Sequence, residues 1–128
     1  MIVLDASVLI AHLDATDSLH ERADRLLAAS GSEALSASVV TLAEVLVGPA
    51  RTGVVDRALA ALEQLAVAAV PIDRVIPVRL ALLRAETGLK LPDCCVLLAA
   101  EQSGAAVATF DDRLAGAVTR RGLRLFER

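Results

Sequence analysis

A three-layer α/β/α domain around a central parallel sheet of about five strands is the fold that this sequence predicts. Three observations carry that expectation. Short apolar runs recur at Met1 to Leu4, near Ala34 to Ala37, at Ala66 to Ile72, at Ala105 to Phe110 and at Leu123 to Phe126. Longer stretches with helical periodicity separate them, and strands that alternate with helices pair in parallel with both faces covered. Finally, the 55% hydrophobic content includes only 2% aromatics, with no Trp and no Tyr. The core must therefore be built from Leu, Val, Ile and Ala, which suit close packing of helix on sheet. At 128 residues the chain fits a single domain, residues 1–128, that buries roughly two thirds of its unfolded surface.

Taken in order, "MIVLDAS" reads as a buried strand that ends in Asp5 at a strand-to-helix junction. "DSLHERADRLLAAS" places Leu19, Ala23, Leu26 and Leu27 on one helix face and ends at Ser30-Gly31. Ser38 is positioned to cap "VVTLAEVLV", which Gly48-Pro49 is expected to stop. The stretch "GPARTG", Gly48 to Gly53, is the most loop-like of the chain, where a cut should be tolerated best. "VVDRALAALEQLA" is the next helix. Asp73, after "AVPI", is a further cap, and "RVIPVRLALLRAETG" follows with Pro77 near its first turn and Gly88 as its C-terminal signal. "PDCCVLLAAEQSG" opens with Pro and Asp and closes at Gly104, and "DRLAGAVTRRG" is the last helix. No internal repeat, low-complexity tract or linker interrupts the pattern.

The net charge of −3 argues against plain electrostatic binding of nucleic acid, so a phosphate partner needs local help from the twelve Arg residues or from bound cations. Glu33, Glu44 and Glu101 break every apolar stretch before it reaches the roughly 18 residues of a membrane span. The N-terminus has no basic leader and Asp5 would interrupt a signal core. These features predict a cytoplasmic protein with no membrane partner. Cys94 and Cys95 are adjacent, which disfavours a disulfide and falls short of a zinc set, and they read as small core residues of a helix.

The carboxylates are harder to account for. In a parallel sheet the C-terminal strand ends share one edge, where ligands bind, and Asp5 and Asp111 would both lie there. Taken singly, Asp5, Asp93 and Asp111 each also meet the requirements of a helix N-cap. Glu44 does not, since it lies about six residues into its helix. With Thr41 it forms the only polar pair of "VVTLAEVLV", and the i,i+3 spacing gives either a narrow solvent-facing stripe or a polar face turned into a cleft beside Asp5. In "FDD" one carboxylate suffices as a cap and the second is left over. Four converging acids are costly: two charges about 5 Å apart repel by about 3 kcal/mol at an effective dielectric near 20. Nothing obvious in the sequence neutralises them. Divalent cations would, and an all-oxygen set suits Mg²⁺ or Mn²⁺, ions that support phosphodiester hydrolysis.

The segments "MIVLDAS", "SASVVTLAEVLVG", "LKLPDCCVLLAAEQSGAAVATFDDRL" and "RGLRLF" resemble, in order and spacing, the PIN-domain nucleases, and in length and start the VapC toxins of bacterial toxin–antitoxin pairs. The similarity spans nearly the whole chain. It implies that Asp5, Glu44, Asp93 and Asp111 are the catalytic acids that hold Mg²⁺ or Mn²⁺ and activate the water that cleaves RNA. It also implies that Ser7 and Thr109 support those acids by hydrogen bonding, although an early-helix hydroxyl and a strand-end Thr need no such role. Asp112 is a departure, since many relatives carry a non-acidic residue there. Capping of the last helix suits it best, with metal binding or added negative field as the alternatives. The resemblance further implies an RNA substrate, a homodimer, and a cognate VapB-like antitoxin whose C-terminal segment lies in an apolar groove beside the active site.

Arg113, Arg120, Arg121 and Arg124 read as solvated surface or as phosphate contacts. His12 and His20 lack the i,i+4 spacing of a helical metal pair and read as ordinary residues. A receiver-like module would need an acid pair after the first strand and a lysine after the fifth, but Asp5 precedes Ala6-Ser7 and the sole lysine is Lys90. A haloacid-dehalogenase-type phosphatase would need an acid where Ser7 stands. The surviving alternatives are a PIN-fold protein that binds RNA or a partner without cutting, and a DNA-directed nuclease.

Overall fold

A computed structural model describes residues 1–71, 73 and 76–127. The elements run β1 Ile2–Leu4, α1 Ala6–Leu13, α2 His20–Ala29, β2 Leu35–Ser38, α3 Val39–Arg51, α4 Val55–Gln64, β3 Ala68–Val70, α5 Ile76–Thr87, α6 Leu91–Ser103, β4 Ala106–Ala108 and α7 Asp112–Arg120. All strand pairs are parallel, in the order β3-β2-β1-β4. β1 is therefore central, with Leu4 beside Ala108 of β4 and Val3 beside Ser36 of β2.

Alternation along β1 sorts the core into two layers. Val3 joins Leu83, Val96, Leu97, Leu114 and Val118 from α5, α6 and α7. Ile2 and Leu4 join Val8, Leu9, Ala23, Leu26, Val45 and Leu62 from the opposite helices. Helices on both faces of a parallel sheet are the expected three-layer arrangement; β1 and β4 are apolar and buried throughout, whereas β2 carries Ser36 and Ser38 in its buried run and the edge strand β3 is mostly exposed. α6 is buried continuously from Cys94 to Ala100, which accounts for both free cysteines as core residues.

The described residues form four strands where about five were expected. The run Leu123 to Phe126 makes a single parallel bridge, Leu125 to Val107. Two hydrogen bonds hold it: Val107 N–H to the Arg124 carbonyl at 2.9 Å and Phe126 N–H to the Val107 carbonyl at 2.8 Å. Gly122, at φ 74°, turns the chain out of α7 ahead of this bridge. The expected strand end at Ile72 and the helix start at Arg74 and Val75, beside the expected cap at Asp73, lie outside the described residues.

Ser38 caps α3, accepting the Val40 N–H at 3.2 Å. Gly48-Pro49 does not stop that helix, which runs on to Arg51, so most of "GPARTG" is helical rather than loop. Pro49 removes one donor, yet the carbonyls of the last turn are used: the Thr52 N–H bonds Gly48 at 3.3 Å and the Val54 N–H bonds Pro49 at 2.9 Å. The helix ends instead at Gly53, whose φ of 73° takes the left-handed turn. Among the described residues, no helix is long and apolar enough to cross a membrane.

Leu97 is fully buried between sheet and helix. Leu97→Ala should lower unfolding free energy by about 2–5 kcal/mol, read from urea denaturation, because a close-packed aliphatic core leaves little to collapse into the gap.

Candidate metal-binding acidic site

β1 delivers Asp5 to the sheet's C-terminal edge, where its N–H bonds the Ala108 carbonyl at 2.9 Å. Its residue exposure is only 5%. Asp5 occupies the N-cap position of α1 but makes no side-chain cap bond. Its Oδ2 instead accepts two hydroxyls, Ser7 Oγ at 2.9 Å and Thr109 Oγ1 at 2.7 Å. Both hydroxyls are themselves fixed: Ser7 Oγ accepts the Phe110 N–H and Thr109 Oγ1 accepts the Asp111 N–H, each at 3.0 Å. The exits of β1 and β4 are thereby knotted around one carboxylate oxygen. Among the described residues, Oδ1 accepts no hydrogen bond and no cationic side chain lies within ion-pair distance of Asp5.

Three more acids share this edge. Glu44 is exposed on α3, and its carboxyl is pushed above the ordinary value first by burial of its surroundings, then by the charges of Asp5 and Asp93. Asp93 lies in the first turn of α6, whose N-cap is Lys90, so it does not cap that helix. Burial raises its carboxyl too, followed by the charges of Asp5 and Asp111. Asp111 does cap: its Oδ1 accepts the Leu114 N–H at 2.9 Å. Asp112, for which capping was the favoured role, is instead the first residue of α7, because the cap geometry falls one residue earlier. Nor does it hydrogen-bond the other acids among the described residues, so the structure gives no support for its acting on them that way.

Three expectations need correction. Thr41 is not part of a solvent stripe: it is fully buried, and its Oγ1 has no partner among the described residues, while Glu44 alone reaches solvent. The acids are not without opposing charge, because Lys90 pulls against the upward shifts of Glu44 and Asp93, and Arg113 against that of Asp93. Sequence spacing hid this, since Lys90 and Arg113 come from the starts of two different helices. Arg121 is not free surface: its Nε meets Glu101 at 2.6 Å and its NH1 meets Glu86 at 3.2 Å.

The histidines are also tied together in a way their separation of eight positions did not suggest. His12 Nδ1 lies 2.7 Å and His20 Nε2 3.2 Å from opposite oxygens of Asp24, with the rings stacked at 6.5 Å. This clasp joins α1 to α2.

No group of three or more His, Cys, Asp or Glu side chains among the described residues is already arranged to hold a metal ion. The donor set nevertheless fits a hard cation that keeps several waters: oxygen ligands only, one of them buried with a free oxygen and no cationic partner. Beside the acids runs a cavity of about 600 Å³ lined by Ile10, Leu13, Val45, Pro49 and Val54, with Glu44 on its wall.

Because Glu44 and Asp93 hold their protons more tightly in the fold than in the unfolded chain, they favour the folded state below the ordinary carboxylate values of 4.5 and 3.8. That contribution is lost as pH rises through the raised folded values. The metal-free protein should therefore melt higher at pH 5 than at pH 8, and Asp93→Asn should flatten this difference in thermal denaturation. An unchanged pH profile in the variant would remove Asp93 from the strained cluster.

A family model described as PIN domain matches residues 2–118. Among curated proteins no sequence matches the chain. Several solved structures share the fold. A toxin–antitoxin complex from Klebsiella pneumoniae superposes with a TM-score of 0.75 at 27% identity, covering 91% of this chain and 92% of that one. VapC20 of Mycobacterium tuberculosis, a sarcin–ricin loop cleaving toxin, gives 0.77 at 20% identity over 91% and 95% of the two chains. FitAcB from Neisseria gonorrhoeae gives 0.74 at 23% identity over 99% and 97%.

Proposed function

The chain belongs to the PIN-domain family, and from that premise we propose that it is a metal-dependent endoribonuclease, the toxin of a VapBC-type pair, acting in the cytoplasm as a homodimer. The observation that carries this reading is Asp5: a buried carboxylate with one oxygen fixed by two hydroxyls, the other open, and three further acids on the same sheet edge. An ion pair or a cap would explain a structural aspartate there, and among the described residues Asp5 has neither. A buried charge without a partner is expensive, and a divalent cation removes the expense.

Mg²⁺ or Mn²⁺, held by Asp5, Asp93 and Asp111 with Glu44 nearby, would supply a more acidic water and charge stabilisation at the scissile phosphate. The chain does the rest. Ser7 and Thr109 lock the Asp5 carboxyl so that its free oxygen is offered without rotamer loss. Asp111 spends Oδ1 on its own helix and has Oδ2 to offer. Glu44, exposed and with raised proton affinity, is suited to accept the proton of the attacking water.

The proposed antitoxin partner fits the cavity beside Glu44, since an apolar segment lying on Ile10, Val45 and Pro49 would cover the acid edge. VapC20 cleaves an RNA loop and the Klebsiella structure is a toxin–antitoxin complex, which favours the same roles here.

Purified protein given a mixed RNA pool should cleave it with Mn²⁺ or Mg²⁺ and not with EDTA, and Asp5→Asn should be inactive. Cleavage that persists in EDTA would sink the metal-dependent reading. Glu44→Gln should lower the rate by about a hundredfold or more while leaving the melting temperature close to wild type. Retained activity would return Glu44 to the role of a surface residue. Mn²⁺ should also raise the melting temperature of wild type more than that of Asp93→Asn, and equal shifts would argue against a shared ion.

A further inference from the structure

An arginine from α2 lies beside the acid edge, in a position that the acids do not explain. The Arg22 guanidinium sits 4.6 Å from the centroid of the Phe110 ring. Phe110 separates Thr109 from Asp111, and its N–H bonds Ser7 Oγ at 3.0 Å, which in turn bonds Asp5 at 2.9 Å. Arg22 therefore stands on a ring that is two hydrogen bonds from the central carboxylate. The ring is half-buried, packed on the aliphatic layer of α1 and α2, so it cannot swing away without exposing apolar surface. Arg22 itself is exposed and makes no ion pair or hydrogen bond among the described residues, in a chain whose net charge is −3.

An arginine held over an aromatic ring has lost part of its rotamer freedom, and Arg22 remains exposed to solvent there. Unpaired RNA bases stack on such guanidinium planes, and a base can do so without regard to its identity. We propose that Arg22, held by Phe110, is a stacking platform for an unpaired nucleotide next to the scissile phosphate. This rests on the ribonuclease reading above. Lys90 and Arg113, exposed at the starts of α6 and α7 and free of ion pairs among the described residues, supply charge for the adjoining phosphates. A platform and a phosphate contact differ in what they need: the first requires a plane, the second only a charge.

The test follows from that difference. Anisotropy with a labelled pool of single-stranded RNA, on the Asp93→Asn background to prevent cleavage, gives Kd and its salt dependence for Arg22, Arg22→Lys, Arg22→Gln and Phe110→Leu. Arg22→Lys should weaken binding about tenfold with an unchanged salt slope, and Phe110→Leu should weaken it in the same direction without adding fully to Arg22→Gln. In the cleaving protein Arg22→Lys should raise KM and leave kcat near wild type. If Arg22→Lys binds as tightly as arginine while Arg22→Gln binds weakly, with a salt slope smaller by about 0.7, the residue is a phosphate contact and the platform is overturned. Equal loss on a fully paired duplex would overturn it as well. Failure of the ribonuclease reading shows itself separately, as RNA neither bound nor cleaved by the protein with native Arg22.

Discussion

Much of this molecule depends on keeping one carboxylate buried at the end of its central strand. Parallel pairing brings β1 and β4 out side by side, so the residues after Leu4 and Ala108 must occupy the same few ångströms. Two hydroxyls resolve the crowding, with Ser7 and Thr109 donating to Asp5 Oδ2 and accepting backbone N–H groups of the facing turn. Each hydroxyl both donates and accepts, so the turn after β4 and the start of α1 are fixed by the same atoms. Removing either hydroxyl would free the Asp5 rotamer and leave a backbone donor unpaired.

The knot satisfies half of a carboxylate and leaves the other half open, and the neighbouring acids make that state costlier. Glu44 and Asp93 both resist ionisation, chiefly because of burial and then because of the charge of Asp5, to which Asp93 adds at Glu44 and Asp111 adds at Asp93. A fold selected for stability alone would replace one of these acids by an amide or pair it with arginine. Here the cations stand at the margin: Lys90 and Arg113 moderate the repulsion without ion-pairing to any acid among the described residues. Arg121 links the far ends of α5, α6 and α7 by bridging Glu86 and Glu101, a surface contact that adds little beside the buried apolar layer beneath it. The mutual repulsion of the acids is concentrated at the edge where chemistry is proposed, and the apolar layers on either side carry the fold.

Sequence made the scaffold legible because its signals are local. The short aliphatic runs mark the strands, Ser38 and Gly104 punctuate helices, and the position of Glu44 within its helix excludes a cap without any three-dimensional information. Asp111 was harder, since "FDD" offers two candidate caps and only backbone angles choose between them. Pro49 misled because a proline ends a helix only when the following carbonyl bonds cannot be made, and here they are. The expected fifth strand forms only one bridge, because an apolar run marks where a strand can form but not how many of its groups find partners on the neighbouring strand. The contacts of Arg22, Lys90, Asp24 and Arg121 were illegible for a different reason: each joins elements far apart in sequence, and no periodicity encodes them.

Those long-range contacts bear on how an acidic chain can address a polyanion at all. A net charge of −3 sets the distant field, but binding is decided within about one Debye length, about 8 Å at physiological ionic strength. What matters is which cations are already spent. Arg121 is committed to two glutamates, whereas Arg22, Lys90 and Arg113 around the acid edge form no ion pair among the described residues. The arrangement is a ring of unspent positive charge around a negative centre. Without metal, the acids would repel phosphate while these cations attract it. A divalent ion at the acids would change the sign of the centre alone, and the same surface would then attract along its whole width. On the proposed ribonuclease reading a bound divalent ion would therefore bear both on the attacking water and on substrate affinity, and the second would need no movement of the chain.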